Sequence, residues 1–388
     1  MADDLRCDFV IFDAGGGHRS AANALRTVML DQGFNGEIRY VNLQKLLEPL
    51  DVMKKFTGLT LEDFYNRLLR KGWTYGTPQM ISLLHVALRF YHAQQVEILE
   101  QHWRLSQPDM VVSLIPHFNR SLFQSLRHYS KWIPFVTVMT DIADYPPHFW
   151  IERQDQFLIC GSQKAIEQAY LYGPPQASIY STSGMILNPK FYEACTMERR
   201  AERMRLGLDP DIATGIVMFG GFGSNSMLEI ASVLDSRSLN VQLIFLCGHN
   251  EALAQALRSQ AWRRPCHVVG FTKEVPYYMR LADFFMGKPG PGSISEALAM
   301  RLPVIVECNS RTLGQERYNA EWILEKQVGL VVRRWRESGL LMDGFLELSN
   351  LNRYKANAAA IVNDGVFEVS SILRSILSSA TCRCAVPA

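Results

Sequence analysis

The sequence predicts an α/β protein built from two doubly wound, Rossmann-like domains. Along the 388 residues, short apolar runs alternate with amphipathic stretches, which is the pattern of βαβ units. The apolar runs are continuous in Val, Ile and Phe, as in parallel strands that helices cover on both faces. The same scheme restarts in the second half of the chain, so we expect two domains rather than one.

The first half contains five predicted strands. They cover residues 8–13, 37–43, 110–114, 134–140 and 156–160. A helix is predicted over 20–32 and ends at Gly33, a typical stop signal. A glycine-rich turn joins the first strand to this helix.

The second half repeats the arrangement with five more predicted strands. They cover 215–219, 241–247, 267–269, 284–286 and 303–307, and a helix is predicted over 225–234. Between the halves, a charged helix over 197–205 and the turn Asp209-Pro210-Asp211 interrupt the pattern. We therefore expect an N-terminal domain over 1–190, a C-terminal domain over 205–350, and a closing helix and tail over 351–388.

Composition and charge exclude several other classes of protein. Apolar residues make up 48% and charged residues 20%, which excludes a disordered, collagen-like or coiled-coil chain. The 40 basic and 38 acidic side chains leave a net charge of +2, so no overall field favours nucleic acid. No run of about 20 apolar residues predicts a membrane span. The first residues lack the apolar core of a signal peptide, so we expect a cytoplasmic chain whose eight cysteines are reduced.

A glycine-rich turn follows the first strand of each half. Residues 15–20 are Gly-Gly-Gly-His-Arg-Ser and residues 221–226 are Gly-Phe-Gly-Ser-Asn-Ser, and both fit G-x-G-x-x-S. Such a turn directs backbone N–H groups and a positive helix end at one spot, which favours an anion; the alternative is a tight turn without a ligand. A dinucleotide-binding fold would place a carboxylate at the end of its second strand. The residues there, Val41-Asn42 and Cys247-Gly248, include no carboxylate, so we do not expect a nicotinamide cofactor.

The segment 287–299 is the most specific part of the second half. A Gly- and Pro-rich loop opens a helix at Ser293, and the free N–H groups of that helix end can accept a diphosphate. Glu296 lies one turn further along and can hold both hydroxyls of a ribose. Ser293 and Glu296 also have the spacing of a capping box, which is the structural alternative.

Two further segments extend this candidate site. In 268–279, a turn with exposed backbone and the aromatic Phe271 can bracket a flat base; alternatively, Phe271 is a core residue of an ordinary loop. In 313–319, the adjacent Gln315 and Glu316 offer amide and carboxylate groups that pair with sugar hydroxyls. The alternative for this second segment is a solvated helix start.

His18 is the candidate general base, because an imidazole at the end of a glycine-rich turn is well placed to take a proton. Alternatively, it is a helix residue that faces solvent. The segment 140–150 follows the fourth strand, and open α/β sheets bind ligands at the carboxyl ends of their strands. There Asp141 can orient or replace the base, while His148 and Trp150 contribute to a partly apolar wall. The D-x-D segment at 209–211 lies in a turn, so no metal site is predicted.

Taken in order, these segments resemble the monogalactosyldiacylglycerol synthases and the related processive diacylglycerol glucosyltransferases. The resemblance spans about residues 8–335 and rests on 15–18, 108–113, 140–150, 270–272, 287–297 and 314–316. The bacterial enzyme that adds N-acetylglucosamine to the lipid-linked peptidoglycan precursor has a similar outline, but it usually carries Gln-Gln in place of Gln315-Glu316. The chain departs from the family at 290–293, where Gly-Pro-Gly-Ser replaces a frequent Gly-Gly-x-Thr.

The resemblance implies the GT-B fold, in which two Rossmann-like domains face each other across a cleft. The N-terminal domain would bind the acceptor and the C-terminal domain the UDP-sugar, with His18 and Asp141 as catalytic residues. The residues implied for the nucleotide-sugar are Gly221, Gly223, Ser224, Phe271, Thr272, Val275, Gly290, Gly292, Ser293, Glu296, Gln315 and Glu316. Those implied for the acceptor are Gly16, Gly17, His148 and Trp150.

The resemblance also implies an inverting glycosyltransferase that moves a hexose from a UDP-sugar to the free hydroxyl of diacylglycerol, without a cofactor or an obligatory metal. Basic and aromatic residues over 53–92 suit an anionic membrane surface, so we expect peripheral association with the inner face of the membrane; a packed insertion helix is the alternative. Another lipid-linked or soluble acceptor, a UDP-sugar epimerase of the same fold and a silent UDP-sugar-binding protein stay open. The motifs do not distinguish galactose, glucose and glucuronate.

Overall fold

The computed structural model describes residues 5–13, 16–50, 90–194, 196–237 and 239–384, with the backbone alone at 381–384. The chain divides into two units. The first combines Met1–Pro189 with Asn363–Ala388, and the second is Lys190–Val362. Each unit contains a parallel six-stranded sheet with helices around it, so the predicted pair of doubly wound α/β domains is confirmed.

The sheet of the first unit has the strand order β2-β1-β3-β4-β5-β6. Its strands are β1 Arg6–Ile11, β2 Glu37–Asn42, β3 Met110–Ser113, β4 Phe135–Val138, β5 Phe157–Cys160 and β6 Ile179–Ser181. The helices between them are α1 Gly17–Asp31, α2 Leu43–Leu46, α3 His92–Ser106, α4 Asn119–Tyr129 and α5 Gln163–Tyr172.

The core of the first unit lies on both faces of this sheet, which explains why its strands are continuously apolar. Phe9 and Val10 are adjacent and both fully buried, yet they belong to different clusters. Phe9 packs with Leu25 of α1, whereas Val10 packs in the cluster that contains Trp103 of α3 and Leu122 of α4. A strand that is buried on both faces cannot alternate apolar and polar residues.

The sheet of the second unit has the strand order β12-β11-β10-β7-β8-β9. Its strands are β7 Ala213–Met218, β8 Val241–Leu246, β9 Cys266–Val269, β10 Phe284–Gly287, β11 Val304–Glu307 and β12 Gly329–Val332. Its helices are α6 Arg199–Arg205, α7 Ser226–Ser236, α8 Glu251–Arg258, α9 Val275–Leu281, α10 Pro291–Ala299, α11 Gly314–Glu325, α12 Gly339–Leu346 and α13 Leu348–Ala359.

An ion cluster joins α6 and α13 to the residue before β10. Arg203 donates to Asp283 at 2.7 Å, and Lys355 donates to the other carboxylate oxygen at 2.7 Å. Arg199 adds a third cation at 3.0 Å. Although burial alone would raise the pKa of Asp283, these cations hold it well below its usual range. The charged helix predicted between the domains is therefore anchored in the second unit.

The last helix, α14 Gly365–Cys384, returns to the first unit. Val369 and Leu373 are buried in the cluster that also contains Leu25 of α1. The helix begins at a close approach of the chain, since a Cβ on Gly365 would lie 2.3 Å from the carbonyl oxygen of Gly184. The predicted closing segment 351–388 is thus divided, because α13 belongs to the second unit and α14 to the first.

All ten predicted strands are present, and their ends agree with the prediction within two residues. The two strands that the prediction omitted, β6 and β12, lie at the edges of their sheets. Both are short and only partly buried, so they lack the long apolar run that marks a central strand. The predicted helix over 20–32 begins three residues earlier, at Gly17.

Candidate active site

The first glycine-rich turn places His18 in the first turn of α1. Gly16 caps the helix with a φ of 78°, a left-handed conformation that favours glycine, and Gly17 is the first helical residue. Both glycines are exposed, and residues 14–15 lie outside the described residues. The turn predicted to face the acceptor therefore includes an exposed helix N-terminus whose second residue is His18.

The imidazole of His18 lies against polar and aromatic side chains of the first unit. Its Nδ1 is 3.5 Å from the hydroxyl oxygen of Thr140. Its ring centroid is 6.2 Å from the rings of Phe12 and Trp150. Burial lowers the pKa of His18 to about 4, although a hydrogen bond to the backbone of Leu114 acts in the opposite direction. At pH 7 the imidazole is therefore neutral and can accept a proton.

Trp150 connects the candidate base to Asp141. The indole N–H of Trp150 donates to Oδ2 of Asp141 at 2.8 Å, and the indole ring is tilted by 52° against the ring of His18. Trp150 is fully buried, so it offers no exposed surface to an acceptor in this conformation. In this structure the indole is a core group that donates to the Asp141 carboxylate, and the acceptor contact of Trp150 stays a prediction.

Asp144 organises the loop that carries Trp150, and sequence reasoning assigned it no role. Its carboxylate accepts the backbone N–H groups of Trp150 at 2.6 Å and of His148 at 2.9 Å, and the hydroxyl of Tyr172 at 3.3 Å. Burial raises the pKa of Asp144, and these hydrogen bonds oppose that rise. His148 is exposed with a φ of 64°, and its ring packs against Tyr172 at 5.0 Å. His148 therefore lies on the same loop as Trp150 but not against His18.

The second glycine-rich turn lies between β7 and α7. Gly223 has a φ of 62°, and a Cβ there would lie 2.9 Å from the carbonyl oxygen of Cys247. Gly221 accepts the backbone N–H of His249 at 2.8 Å. The hydroxyl of Ser224, two residues before the start of α7, accepts the N–H of Ser226 at 3.2 Å. The loops after β7 and β8 are thus in direct backbone contact. This contact leaves little room for a side chain at Gly223.

An aromatic pair occupies the neighbouring loops after β8 and β9. The rings of His249 and Phe271 are stacked, with centroids 4.0 Å apart and planes 17° apart. Phe271 is 56% exposed, so the alternative that it is a core residue is wrong. Thr272 accepts the N–H of Glu274 at 3.0 Å, and Val275 is the first residue of α9. His249 was not among the predicted site residues; its position directly after a strand and Gly248 is the feature of the sequence that could have indicated it.

Helix α10 begins at Pro291 with Gly290 as its N-cap, two residues before the predicted start. Ser293 is already inside the helix, and its hydroxyl donates to the carbonyl oxygen of Gly290 at 3.2 Å. The capping-box alternative is therefore wrong, and Glu296 has no role in capping. Burial raises the pKa of Glu296 to about 7. Gly292 in the first turn is exposed and has no atom within 4 Å of an added Cβ.

The start of α11 carries a cluster of hydrogen-bond acceptors. Glu316 is only 7% exposed, and the ammonium group of Lys288 donates to its Oε1 at 2.8 Å. The alternative of a solvated helix start is therefore wrong. Gln315 has a buried Oε1 that has no hydrogen-bond partner among the described residues. Asn319 is fully buried and donates to the carbonyl oxygen of Pro289 at 2.8 Å. These contacts connect α11 to the loop before α10.

The remaining predicted features add no second site. Asp211 forms an exposed ion pair with Arg200 at 2.6 Å, so the D-x-D segment is a surface turn. Among the described residues, no three His, Cys, Asp or Glu side chains are grouped to hold a metal ion. Within the same residues, no helix has the length and apolar character needed to cross a membrane. The predicted membrane-facing segment 53–92 lies outside the described residues up to residue 89.

The fold is similar to that of several solved structures. One is MurG of Acinetobacter baumannii, with a TM-score of 0.63 and 11% identity over 96% of this chain and 99% of that chain. Another is WaaG, a glycosyltransferase of lipopolysaccharide biosynthesis, with a TM-score of 0.54 and 15% identity over 96% and 99% of the two chains. The chain therefore has the two-domain, Rossmann-like GT-B fold.

Comparisons of the sequence identify the type of enzyme more narrowly than the fold does. Residues 216–366 match the glycosyltransferase family 28 C-terminal domain. The probable monogalactosyldiacylglycerol synthase 2 of Oryza sativa subsp. indica is 28% identical over 375 residues, which cover 92% of this chain and 77% of that protein. Monogalactosyldiacylglycerol synthase 2 of Arabidopsis thaliana is 26% identical over 379 residues, covering 92% and 78%. The chain is a glycosyltransferase whose sequence is similar to the monogalactosyldiacylglycerol synthases and, over 216–366, to the family 28 C-terminal domain, so the predicted resemblance is confirmed.

Proposed function

We propose that this glycosyltransferase moves a hexose, with inversion, from a UDP-sugar to the free hydroxyl of diacylglycerol. The observation that carries the proposal is the neutral imidazole of His18, beside Thr140 and near the indole that holds Asp141. The relatives named as monogalactosyldiacylglycerol synthases support diacylglycerol as the acceptor.

In the proposed step, His18 takes the proton of the acceptor hydroxyl while the acceptor oxygen forms a bond to C1 of the hexose. The bond from C1 to the diphosphate oxygen breaks on the opposite face, and UDP leaves with the electron pair. The configuration at C1 is thereby inverted. A neutral imidazole is the form that acts as a base, and the imidazolium that results needs a counter-charge. We assign that role to Asp141, which directly follows Thr140.

Three features of the second unit support a UDP-sugar as the donor. The N-terminus of α10 offers free N–H groups and a positive helix end to a diphosphate. Glu296 has no ion pair among the described residues and can accept both hydroxyls of a ribose. Gln315 and Glu316 present acceptor oxygens that suit the hydroxyls of a hexose. Because helix N–H groups and hydroxyls stabilise the leaving UDP in this scheme, we expect no cofactor and no obligatory metal.

The proposed acceptor determines where in the cell the enzyme would act. Diacylglycerol resides in a membrane, so we propose peripheral association of a cytoplasmic enzyme with an anionic inner membrane face. The basic and aromatic composition of 53–92 supports this contact, which rests on a local patch rather than on the net charge of +2.

The test is a transfer assay on vesicles of phosphatidylcholine and phosphatidylglycerol that contain diacylglycerol. Radiolabelled UDP-galactose, UDP-glucose and UDP-glucuronate are supplied separately, and lipid products are identified by thin-layer chromatography. We expect a labelled glycosyl-diacylglycerol from at least one donor, and its loss in His18→Ala. His128→Ala, at an exposed histidine of α4, is the matched control.

Two results would contradict the proposal. The absence of a lipid product with all three donors would refute the diacylglycerol acceptor. Release of an epimerised sugar without any acceptor would instead favour the epimerase alternative.

A further inference from the structure

We propose that Lys288 is a positioning residue that sets the hexose selectivity of the donor site through Glu316. The inference rests on the proposed use of a UDP-hexose and names a determinant of its recognition. Lys288 lies in the loop between β10 and α10, and its Nζ is 2.8 Å from Oε1 of Glu316 in the first turn of α11. No role was assigned to Lys288 on sequence grounds.

The surroundings of this ion pair make its geometry specific. The side chain of Glu316 is 9% exposed, whereas that of Lys288 is 42% exposed. A nearly buried carboxylate has few ways to satisfy its charge, so the ammonium group determines how the carboxylate is turned. With Oε1 held by Lys288, Oε2 is the oxygen left to accept a hydroxyl of the sugar.

A second contact fixes the loop that carries Lys288. The side-chain amide of Asn319 donates to the carbonyl oxygen of Pro289 at 2.8 Å, and Asn319 is fully buried. The loop is therefore attached to α11 at two successive residues, once by an ion pair and once by a neutral hydrogen bond. This double attachment holds the ammonium in place relative to Glu316.

The acceptor oxygens at this position match the hydroxyls of a hexose. Oε1 of Gln315, the residue directly before Glu316, has no hydrogen-bond partner among the described residues. A site built from fixed acceptors discriminates strongly between sugars whose hydroxyls point in different directions, because a wrong epimer leaves a buried acceptor unpaired. Galactose and glucose differ in the direction of one hydroxyl, so the orientation of Glu316 can decide between them.

The experiment is a double-mutant cycle on the full-length enzyme with UDP-galactose and UDP-glucose as the donors. The variants are Lys288→Met, Glu316→Gln, the double variant and Lys288→Arg. Lys326→Met is the matched control, since Lys326 is an exposed lysine at the other end of α11. For each variant, kcat and KM are measured with both donors, and folding is checked by thermal unfolding.

We expect Lys288→Met to lower kcat/KM for the preferred donor about 10- to 100-fold, chiefly through KM, and to move the ratio between the two donors toward unity. Lys288→Arg should restore most of the ratio. The double variant should be no worse than Glu316→Gln alone, because both changes remove the same interaction.

An unchanged donor ratio in Lys288→Met, or losses that multiply in the double variant, would overturn the inference. If Lys288→Met does not fold, the test rests on Lys288→Arg and on the comparison of the double variant with Glu316→Gln, because a further loss in the double variant would show that Lys288 acts independently of Glu316. A wild-type enzyme that yields no lipid product with UDP-galactose, UDP-glucose or UDP-glucuronate would instead refute the proposed function, so the two failures are distinguishable.

Discussion

Replacement of Glu296 by Gln tests whether the donor site keeps an unpaired carboxylate at a cost in stability. The substitution preserves the size and shape of the side chain and removes its charge. Because burial raises the pKa of Glu296 to about 7, the ionised carboxylate destabilises the folded protein at alkaline pH. We expect Glu296→Gln to unfold at higher denaturant concentration while binding UDP more weakly.

The magnitude follows from the pKa. Raising it from 4.5 to about 7 costs the folded protein about 3 kcal/mol when the group is fully ionised. Glu296 keeps some contact with solvent, which reduces this cost, so we expect a gain of about 1–2 kcal/mol in Glu296→Gln at pH 8. The gain shrinks as the pH falls through 7 and is absent below about 4.5, where the carboxyl is protonated in the folded and the unfolded chain.

The assay is urea unfolding at pH 8.5 and at the lowest pH where the fold persists, together with UDP titration calorimetry at pH 8. Glu321→Gln is the control, since Glu321 is exposed on α11. We expect Glu296→Gln to weaken UDP about tenfold, as when an ionised acceptor of two hydroxyls is lost. Equal stabilities of wild type and variant at both pH values would refute the burial argument. A stabilised variant with unchanged UDP affinity would refute the ribose role alone.

Three further predictions concern the first unit and the chemistry. In His18→Ala, we expect kcat to fall about 10²- to 10⁴-fold with UDP affinity unchanged, measured by steady-state transfer and calorimetry; a kcat within about threefold of wild type would exclude the base role. Trp150→Phe removes the N–H that Asp141 accepts and leaves a cavity in the core, so we expect a loss of about 2–4 kcal/mol in unfolding free energy and a lower kcat, with unchanged donor KM. Excess EDTA should leave the transfer rate unchanged, whereas rescue of an inhibited enzyme by Mg²⁺ or Mn²⁺ would show that a metal takes part.

The central strands were predictable because burial on both faces leaves a continuous apolar run. Phe135–Val138 and Val304–Glu307, for example, follow directly from their Val and Ile content. The edge strand Ile179–Ser181 was not predictable in this way, since only one neighbour pairs with it and its residues remain partly exposed. The return of α14 to the first unit was equally inaccessible, because it depends on which core receives Val369 and Leu373.

The candidate site was predictable at the level of segments but not of contacts. Glycine-rich turns and the pair Gln315-Glu316 can be recognised in the sequence alone, because they depend on residues that are adjacent along the chain. The burial of Trp150 behind Asp141 is a tertiary property, and the aromatic residue by itself suggested an exposed wall. Lys288 was overlooked for a related reason, because its partner lies 28 residues away on another helix.

Burial shifts the pKa values of His18 and Glu296 in opposite directions, so the two side chains titrate in different pH ranges. It lowers the pKa of His18 to about 4, so the imidazole stays neutral from neutral pH down to about 5. It raises the pKa of Glu296 to about 7, so this carboxylate gains a proton across the same interval and loses its ability to accept two hydroxyls. The decline of kcat/KM for the donor between pH 8 and 5 should therefore report ribose binding rather than the base. In Glu296→Gln that decline should disappear while the value at pH 8 is lower, and a decline that persists unchanged would assign it to a group other than Glu296.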